Sequence, residues 1–278
     1  MTGTFWSGTR AVWLALCVGL IACSREKPPE SPLHYTENAK RAYEQALEAY
    51  FDRDWEYANQ LFKDVKRKWG YSRYARLAEL RLADASFRQE KYAEATGMYK
   101  GFVSDYPNDP EVEYARFRIA KGEFSQSSGN ALQPPLEERE LSNIRDAHAA
   151  LRAMVSDYPV SKYRNEIDYM LEVVTGLLVR HELYVAKFYL RRDNFEAAVA
   201  RCEYALKNFE DSGLEPEALT LLGETYLKMK ELDKARVVLE AVLKRYPDSA
   251  FTVPAKRFLA RLGATGPHVP TTTGGQGG

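Results

Sequence analysis

The residues able to do chemistry stand at the start of the chain. Leu20-Ile21-Ala22-Cys23 closes an apolar run with a small residue and a thiol. A small side chain at position 22 suits a narrow peptidase pocket, and the Cys23 sulfur is the nucleophile able to form a thioether with a diacylglyceryl group. Arg10 precedes the run with a positive charge, and residues 11–20 are too few to cross a bilayer as a mature helix. Residues 1–22 therefore read as a lipoprotein signal peptide, removed to leave Cys23 first, with an S-diacylglycerol and an N-acyl chain. Each buried methylene then contributes about 0.8 kcal/mol, so two or three chains hold the protein stably to a membrane. Cys17 fits this role poorly, because bulky Leu16 precedes it and it lies inside the apolar run.

Elsewhere the chain offers little reactive chemistry. With Cys17 removed and Cys23 acylated, Cys202 is the one cysteine left of three, which excludes an intramolecular disulfide framework. It lies in an apolar helical register, where a free cysteine packs as a small hydrophobe. His34, His148, His181 and His268 are far apart with no cysteine or carboxylate at ligand spacing, and no phosphate-cradling glycine loop or nucleophile elbow occurs. His181-Glu182 lacks the second histidine that a zinc-binding helix needs. We expect no enzyme, no metal site and no cofactor beyond the covalent lipid. The 39 basic and 39 acidic residues cancel, so the basic footprint of a nucleic-acid binder is missing. Charge runs such as Glu137-Glu138-Arg139-Glu140 read as solvated helix faces. Proteins are the partners that composition leaves.

The elements beneath these residues repeat. Lys68-Trp69-Gly70-Tyr71-Ser72, Asp105-Tyr106-Pro107-Asn108-Asp109, Asp157-Tyr158-Pro159-Val160-Ser161 and Arg245-Tyr246-Pro247-Asp248-Ser249 each place an aromatic before Pro or Gly and a polar cap after it. Proline stops one helix and the Asn, Asp or Ser caps the next. Twelve residues before the three prolines stand Ala95, Ala147 and Ala235, with Ala58 and Ala198 as counterparts in two further units. A small residue at this offset lets the two helices of a hairpin approach, which is the tetratricopeptide pattern. The fold expected is all-α, a right-handed tetratricopeptide-repeat solenoid of about five helical hairpins over residues 35–262, with N-terminal units at 35–110 and C-terminal units at 111–262. The alanines are 37, 52, 51 and 37 residues apart, so the middle of the chain carries added elements. One is a loop after Ser125 that includes Gly129 and Pro134-Pro135, and the other is a long helix over 166–191 interrupted only by Gly176. Residues 23–34, with Pro28, Pro29 and Pro32, read as an extended tether, and the Gly- and Thr-rich 263–278 as a disordered tail.

In such a solenoid the first helix of each hairpin lines the concave side. Its positions in the first two units hold Lys40, Tyr43, Leu47, Tyr50 and Phe51, then Leu80, Asp84, Phe87 and Arg88. Aromatics with a few charges suit a peptide groove, and they equally suit the interior of the superhelix, since patterning does not separate the two.

The segment from Arg180-His181-Glu182-Leu183-Tyr184-Val185-Ala186-Lys187-Phe188-Tyr189 through Asn194-Phe195-Glu196-Ala197-Ala198-Val199-Ala200-Arg201 closely resembles the fourth repeat of the BamD family. These are the tetratricopeptide lipoproteins of the machinery that assembles outer-membrane β-barrels. The resemblance implies a BAM complex at the periplasmic face of the outer membrane, and Ser24 agrees, being other than the aspartate associated with inner-membrane retention in bacterial lipoproteins. It implies that the C-terminal repeats bind the POTRA domains of a BamA-like barrel protein, with Arg201 matching the family arginine at that contact. It also implies that the N-terminal repeats receive unfolded barrel precursors, Phe87 and Tyr50 taking a terminal aromatic ring and Arg88 or Lys40 its carboxylate. Accessory lipoproteins belong to machines of this kind, but no contact for them is legible. Another periplasmic tetratricopeptide lipoprotein, serving cell-wall synthesis or polysaccharide export, would share the signal and corners without the unit-four segment.

Overall fold

A computed structural model describes residues 31–127 and 141–264. The signal peptide, Cys23, most of the tether, the loop from 128 to 140 with Glu137-Glu138-Arg139-Glu140, and the tail from 265 with His268 lie outside the described residues. The described chain is a succession of antiparallel helices. They are α1 (Pro32–Phe51), α2 (Trp55–Lys68), α3 (Arg73–Arg88), α4 (Tyr92–Asp105), α5 (Val112–Ser127), α6 (Ser142–Asp157), α7 (Arg164–Arg191), α8 (Phe195–Asn208), α9 (Glu215–Lys228), α10 (Leu232–Arg245) and α11 (Thr252–Ala264). Helices α1 to α10 pair into five hairpins, each helix packs chiefly on its neighbours in sequence, and α11 covers the last pair. This is the tetratricopeptide solenoid. No described helix is long and apolar enough to cross a membrane.

One register governs every second helix. Ala58, Phe62 and Val65 in α2 recur as Ala95, Tyr99 and Phe102 in α4, Ala147, Leu151 and Met154 in α6, Ala198, Cys202 and Ala205 in α8, and Ala235, Leu239 and Val242 in α10; all are buried. The spacing i, i+4, i+7 puts each trio on one helix face. All five alanines have no exposed surface, so the paired helices meet there with only a methyl between them. Burial of the larger side chains contributes roughly 1.5–3 kcal/mol each. Cys202 therefore occupies the position that Phe62, Leu151 and Leu239 fill elsewhere. Burial, reinforced by nearby Glu203, pushes its thiol up to about 12, which leaves it protonated and unreactive.

The corners follow from the same register. Trp69, Tyr106, Tyr158 and Tyr246 each leave helical geometry while donating their N–H back to the carbonyl four residues earlier. The expected caps are in place, with Ser72 Oγ accepting from Ala75 N at 3.2 Å. Asp109, Ser161 and Ser249 accept from the N–H two residues on. A fifth corner, at Phe209 with Ser212 as its cap, lacks proline and was not anticipated. Within hairpins one, two, four and five the turn is closed by Arg53, Glu90, Asp193 and Lys230, each at φ of 57–64°. The residue after each donates to a carbonyl five back, for example Lys91 N to Ser86 O at 3.0 Å. Such turns favour glycine, and the absence of glycine hid them from sequence reading.

Two boundaries differ from expectation. Helix α1 starts inside the anticipated tether, because Pro32 takes the first helical position and Ser31 caps it, accepting from His34 N at 3.4 Å. Gly263 and Ala264, expected in the tail, extend α11. The long helix of the middle is α7, 28 residues without interruption; Gly176 is accommodated within it.

Candidate functional site

Two clusters of polar side chains stand out against the apolar packing. The first lies between α7 and α8. Asn194 caps α8 through Ala197 N at 3.2 Å and so fixes the register that carries Arg201. Across the hairpin the Glu182 carboxylate is 4% exposed, and it accepts from Arg201 Nη1 at 3.1 Å, while the Arg201 side chain stays 43% exposed. One edge of the guanidinium is thus held from below and much of the rest meets solvent. Lys187 to Glu217 at 2.6 Å and the Tyr226 hydroxyl to Glu203 at 2.9 Å join α7 and α8 to α9 around it. Burial and the Glu203 hydrogen bond push the Tyr226 phenol up to about 12.

The second cluster crosses α1, α3, α4 and α5, where several of the anticipated groove residues lie. They do not form one open surface. Leu80 is fully enclosed in the core around Tyr99 and Phe102, Asp84 is 1% exposed, and Tyr43 and Tyr50 are buried against Phe62. Leu47 packs on the same apolar cluster. Lys40 is exposed and faces Glu44 at 3.7 Å, while Phe51 lies 72% exposed with its ring edge-on to Tyr50. Phe87 and Arg88 remain accessible at the cluster's rim, and Arg88 Nε donates to the Tyr50 hydroxyl at 3.0 Å.

At the centre sits Asp84, which is a hub instead of a lining residue. Its carboxylate accepts from the hydroxyls of Tyr99 and Tyr114 and from Arg81 Nη1, and it forms an ion pair at 3.2 Å with Arg118, whose Nη1 donates to the Tyr114 hydroxyl at 2.9 Å. Arg81 Nε reaches the Tyr43 hydroxyl at 3.2 Å, and the Arg118 guanidinium stacks over the Phe87 ring at 4.1 Å. Burial and Asp84 raise both Tyr99 and Tyr114 well above the ordinary phenol. A buried carboxylate is tolerable only when so fully satisfied. Arg81, Tyr99, Tyr114 and Arg118 were missed by the sequence reading. Carrying the first-helix positions into the third hairpin would have reached Tyr114 and Arg118, four residues apart on α5.

A family model described as YfiO, outer membrane lipoprotein, matches residues 36–239. The chain belongs to the YfiO family. The unit-four segment and both clusters fall inside the match. Among curated relatives, the "Outer membrane protein assembly factor BamD" of Caulobacter vibrioides is 28% identical over 206 residues, 74% of this chain and 65% of that protein. Its namesake in Xylella fastidiosa is 24% identical over 88% of this chain and 86% of its own length. Among solved structures, the TPR2AB domain of yeast Sti1 in complex with pHSP90 aligns over 82% of this chain and 84% of that chain, with a TM-score of 0.42 and 10% identity. For this YfiO member, the resemblance seen in residues 180–201 and the family match agree.

Proposed function

We propose that this chain is an outer membrane protein assembly factor, a scaffold held by lipid on Cys23 at the periplasmic face of the outer membrane. Its C-terminal repeats bind a POTRA domain of a BamA-like barrel protein through Arg201, and its N-terminal hairpins hold unfolded barrel precursors while they are inserted. The observation that carries the reading is the family match over residues 36–239. Arg201 supports it physically: a planar, permanently charged fork, oriented by buried Glu182 and otherwise open, can accept a carboxylate of a partner in two hydrogen bonds.

Arg201→Glu tests the docking. The substitution sets a second carboxylate beside Glu182 and turns attraction into repulsion. Co-purification of a BamA-like barrel with the lipoprotein should fall by about tenfold or more, as loss of a charge-assisted contact implies, with helical circular dichroism unchanged. Undiminished co-purification would remove Arg201 from the interface. Cys23→Ser tests the anchor, and the variant should leave the membrane fraction.

A further inference from the structure

The five corners lie along one edge of the solenoid, because successive helices run antiparallel, and α1 begins at that same edge. They are not alike in charge. Asp105 and Asp109, Asp157, Glu210 and Asp248 give the other four corners at least one carboxylate each, whereas residues 66–73 hold Lys66, Arg67, Lys68 and Arg73 and no acid. Lys66 pairs with Glu79 at 2.9 Å, Arg67 and Lys68 share Asp64 at 2.6 and 3.5 Å, and Arg73 has no carboxylate partner among the described residues. Four cations thus meet two carboxylates. Beside them the charges of early α1 cancel, Glu37 and Glu44 against Lys40 and Arg41. Apolar surface stands at the same place. Tyr71, at the tip of this corner, is 99% exposed, and Leu33, in the first turn of α1, is 77% exposed. Corners two, four and five put Asn108, Asp211 and Asp248 at the position of Tyr71, as a solvated turn favours. Trp69 holds the tip from below, packing on the first apolar cluster with Lys68 Nζ 6.0 Å from its ring centre. Helix α1 has 20 residues against 14 in α2, so its start projects about 9 Å past the end of its partner, to where the corner turns.

We propose that the first corner and the start of α1 form a bilayer-docking surface, whose partner is the anionic headgroup layer of the membrane that holds the lipid on Cys23. This rests on the reading of Cys23 as the anchor. Eight residues lead from Cys23 to Ser31, a reach of at most about 29 Å, and they join the fold at the corner edge, so the anchor delivers this surface to the bilayer. Tyrosine favours the headgroup layer, where its ring meets acyl carbon and its hydroxyl stays hydrated. Leu33 adds apolar area, and Lys and Arg close to a negatively charged surface each strengthen attachment several-fold. Acyl chains alone set a distance and leave the solenoid free to rotate about its tether. A second contact through Tyr71, Lys68 and Arg73 fixes the orientation, with the corner edge toward the bilayer at the first hairpin and the hairpin turns away from it.

The test uses the full-length lipoprotein reconstituted into vesicles of phosphatidylcholine and phosphatidylglycerol that carry a quencher in their acyl chains. A fluorophore is attached at position 71 in Tyr71→Cys or, as the reference, at position 160 in Val160→Cys; Val160 is as exposed, at 96%, on a corner of mixed charge. Buried Cys202 stays unlabelled. Quenching at position 71 should exceed that at position 160 by about threefold or more, as an interfacial contact supported by charge implies. The ratio should fall to near one at high salt and in the double variant Lys68→Glu with Arg73→Glu, whose exposed positions leave helical circular dichroism unchanged. Equal quenching at the two positions in the native background overturns the docking surface. An excess that survives charge reversal shows that the anchor alone keeps this edge close, and overturns it as well. A label at position 71 already shielded in detergent without lipid marks a second copy of the chain as the occupant, against the proposal. If the lipoprotein fails to float with the vesicles, the anchor reading falls and the docking surface with it, whereas flotation with equal quenching removes the docking surface alone.

Discussion

The hairpins before and after the inserted loop solve the same packing problem with different materials. From Phe117 and Ala120 in α5 through to Leu262 in α11 the buried residues form one continuous cluster, largely Leu, Ile, Val, Met and Ala. From α1 to α5 the apolar residues divide into two smaller clusters rich in aromatic rings. Between them runs the Asp84 network. The contrast is sharpest at a single register position, where α6 and α10 place Leu151 and Leu239 and α4 places Tyr99, whose hydroxyl reaches Asp84. The hydroxyl lets the N-terminal hairpins bury a carboxylate at no loss of packing. An apolar core tolerates sliding between near-equivalent arrangements, whereas a buried polar network is satisfied by one arrangement only. Among the described residues the C-terminal half keeps a single buried carboxylate, Glu182, and its arginine partner reaches water.

If that contrast is right, removing the two buried carboxylates has unequal costs. Asp84→Ala leaves two guanidiniums and two phenols without their acceptor, and should destabilise by about 3–5 kcal/mol, lowering the urea midpoint steeply. Glu182→Ala leaves an arginine that water can solvate, and should cost about 1 kcal/mol or less. Equal losses would erase the distinction between the halves.

Glycine substitutions probe the tightness of the C-terminal packing next. A methyl at Gly223 would lie 2.6 Å from Leu239 carbons, whereas one at Gly176 meets only the far end of Arg180 at 3.9 Å. Gly223→Ala should therefore cost about 1–3 kcal/mol by overpacking, and Gly176→Ala should gain up to about 1 kcal/mol of helix propensity. Thermal melts of the two variants should move in opposite directions.

The smallest effect is in pH. Tyr99 and Tyr114 have folded pKa values raised above 10.0, by burial and Asp84. The stability they lend is thus intact below pH 10 and is lost as pH climbs toward their folded values. His148 is lowered from 6.5 by burial and Arg152, so its contribution is intact above pH 6.5 and lost as pH falls. Each group changes stability by at most about 1.4 kcal/mol per pH unit. Trp55 and Trp69, the tryptophans among the described residues, both belong to the first hairpin region. Above pH 10 their fluorescence transition should shift to lower urea before the circular dichroism transition does, and below pH 6.5 the order should reverse.

The five second helices were legible in the sequence because their signal is local: a small residue, a 3.6-residue period and, after α4, α6 and α10, a proline corner. The corner at Phe209 escaped because neither proline nor glycine follows its aromatic, Glu210 standing there instead. The inserted segments announced themselves through uneven alanine spacing. The Asp84 cluster was only half legible. Tyr43, Tyr50 and Asp84 were noted as first-helix positions, but most of their partners come from other helices, Tyr99 and Tyr114 standing 15 and 30 residues from Asp84 and Arg81 38 from Tyr43, and no local period encodes a contact between helices. Core and groove are alike in pattern because both place aromatics on the same helix face. Only the depth of Leu80 and the rim position of Arg88 separate them.

Helix α7 has a consequence of another kind. At 28 residues it is twice as long as its partner α8, so it measures about 42 Å and serves two neighbours in turn, α6 along one stretch and α8 along another. It is the shaft on which the two halves are mounted. Since each residue of an α-helix advances the azimuth by about 100°, the angle between the Asp84 face and the Arg201 face is written in the number of residues in α7, not in any contact it makes. One residue inserted midway would swing one face through more than a quarter turn relative to the other.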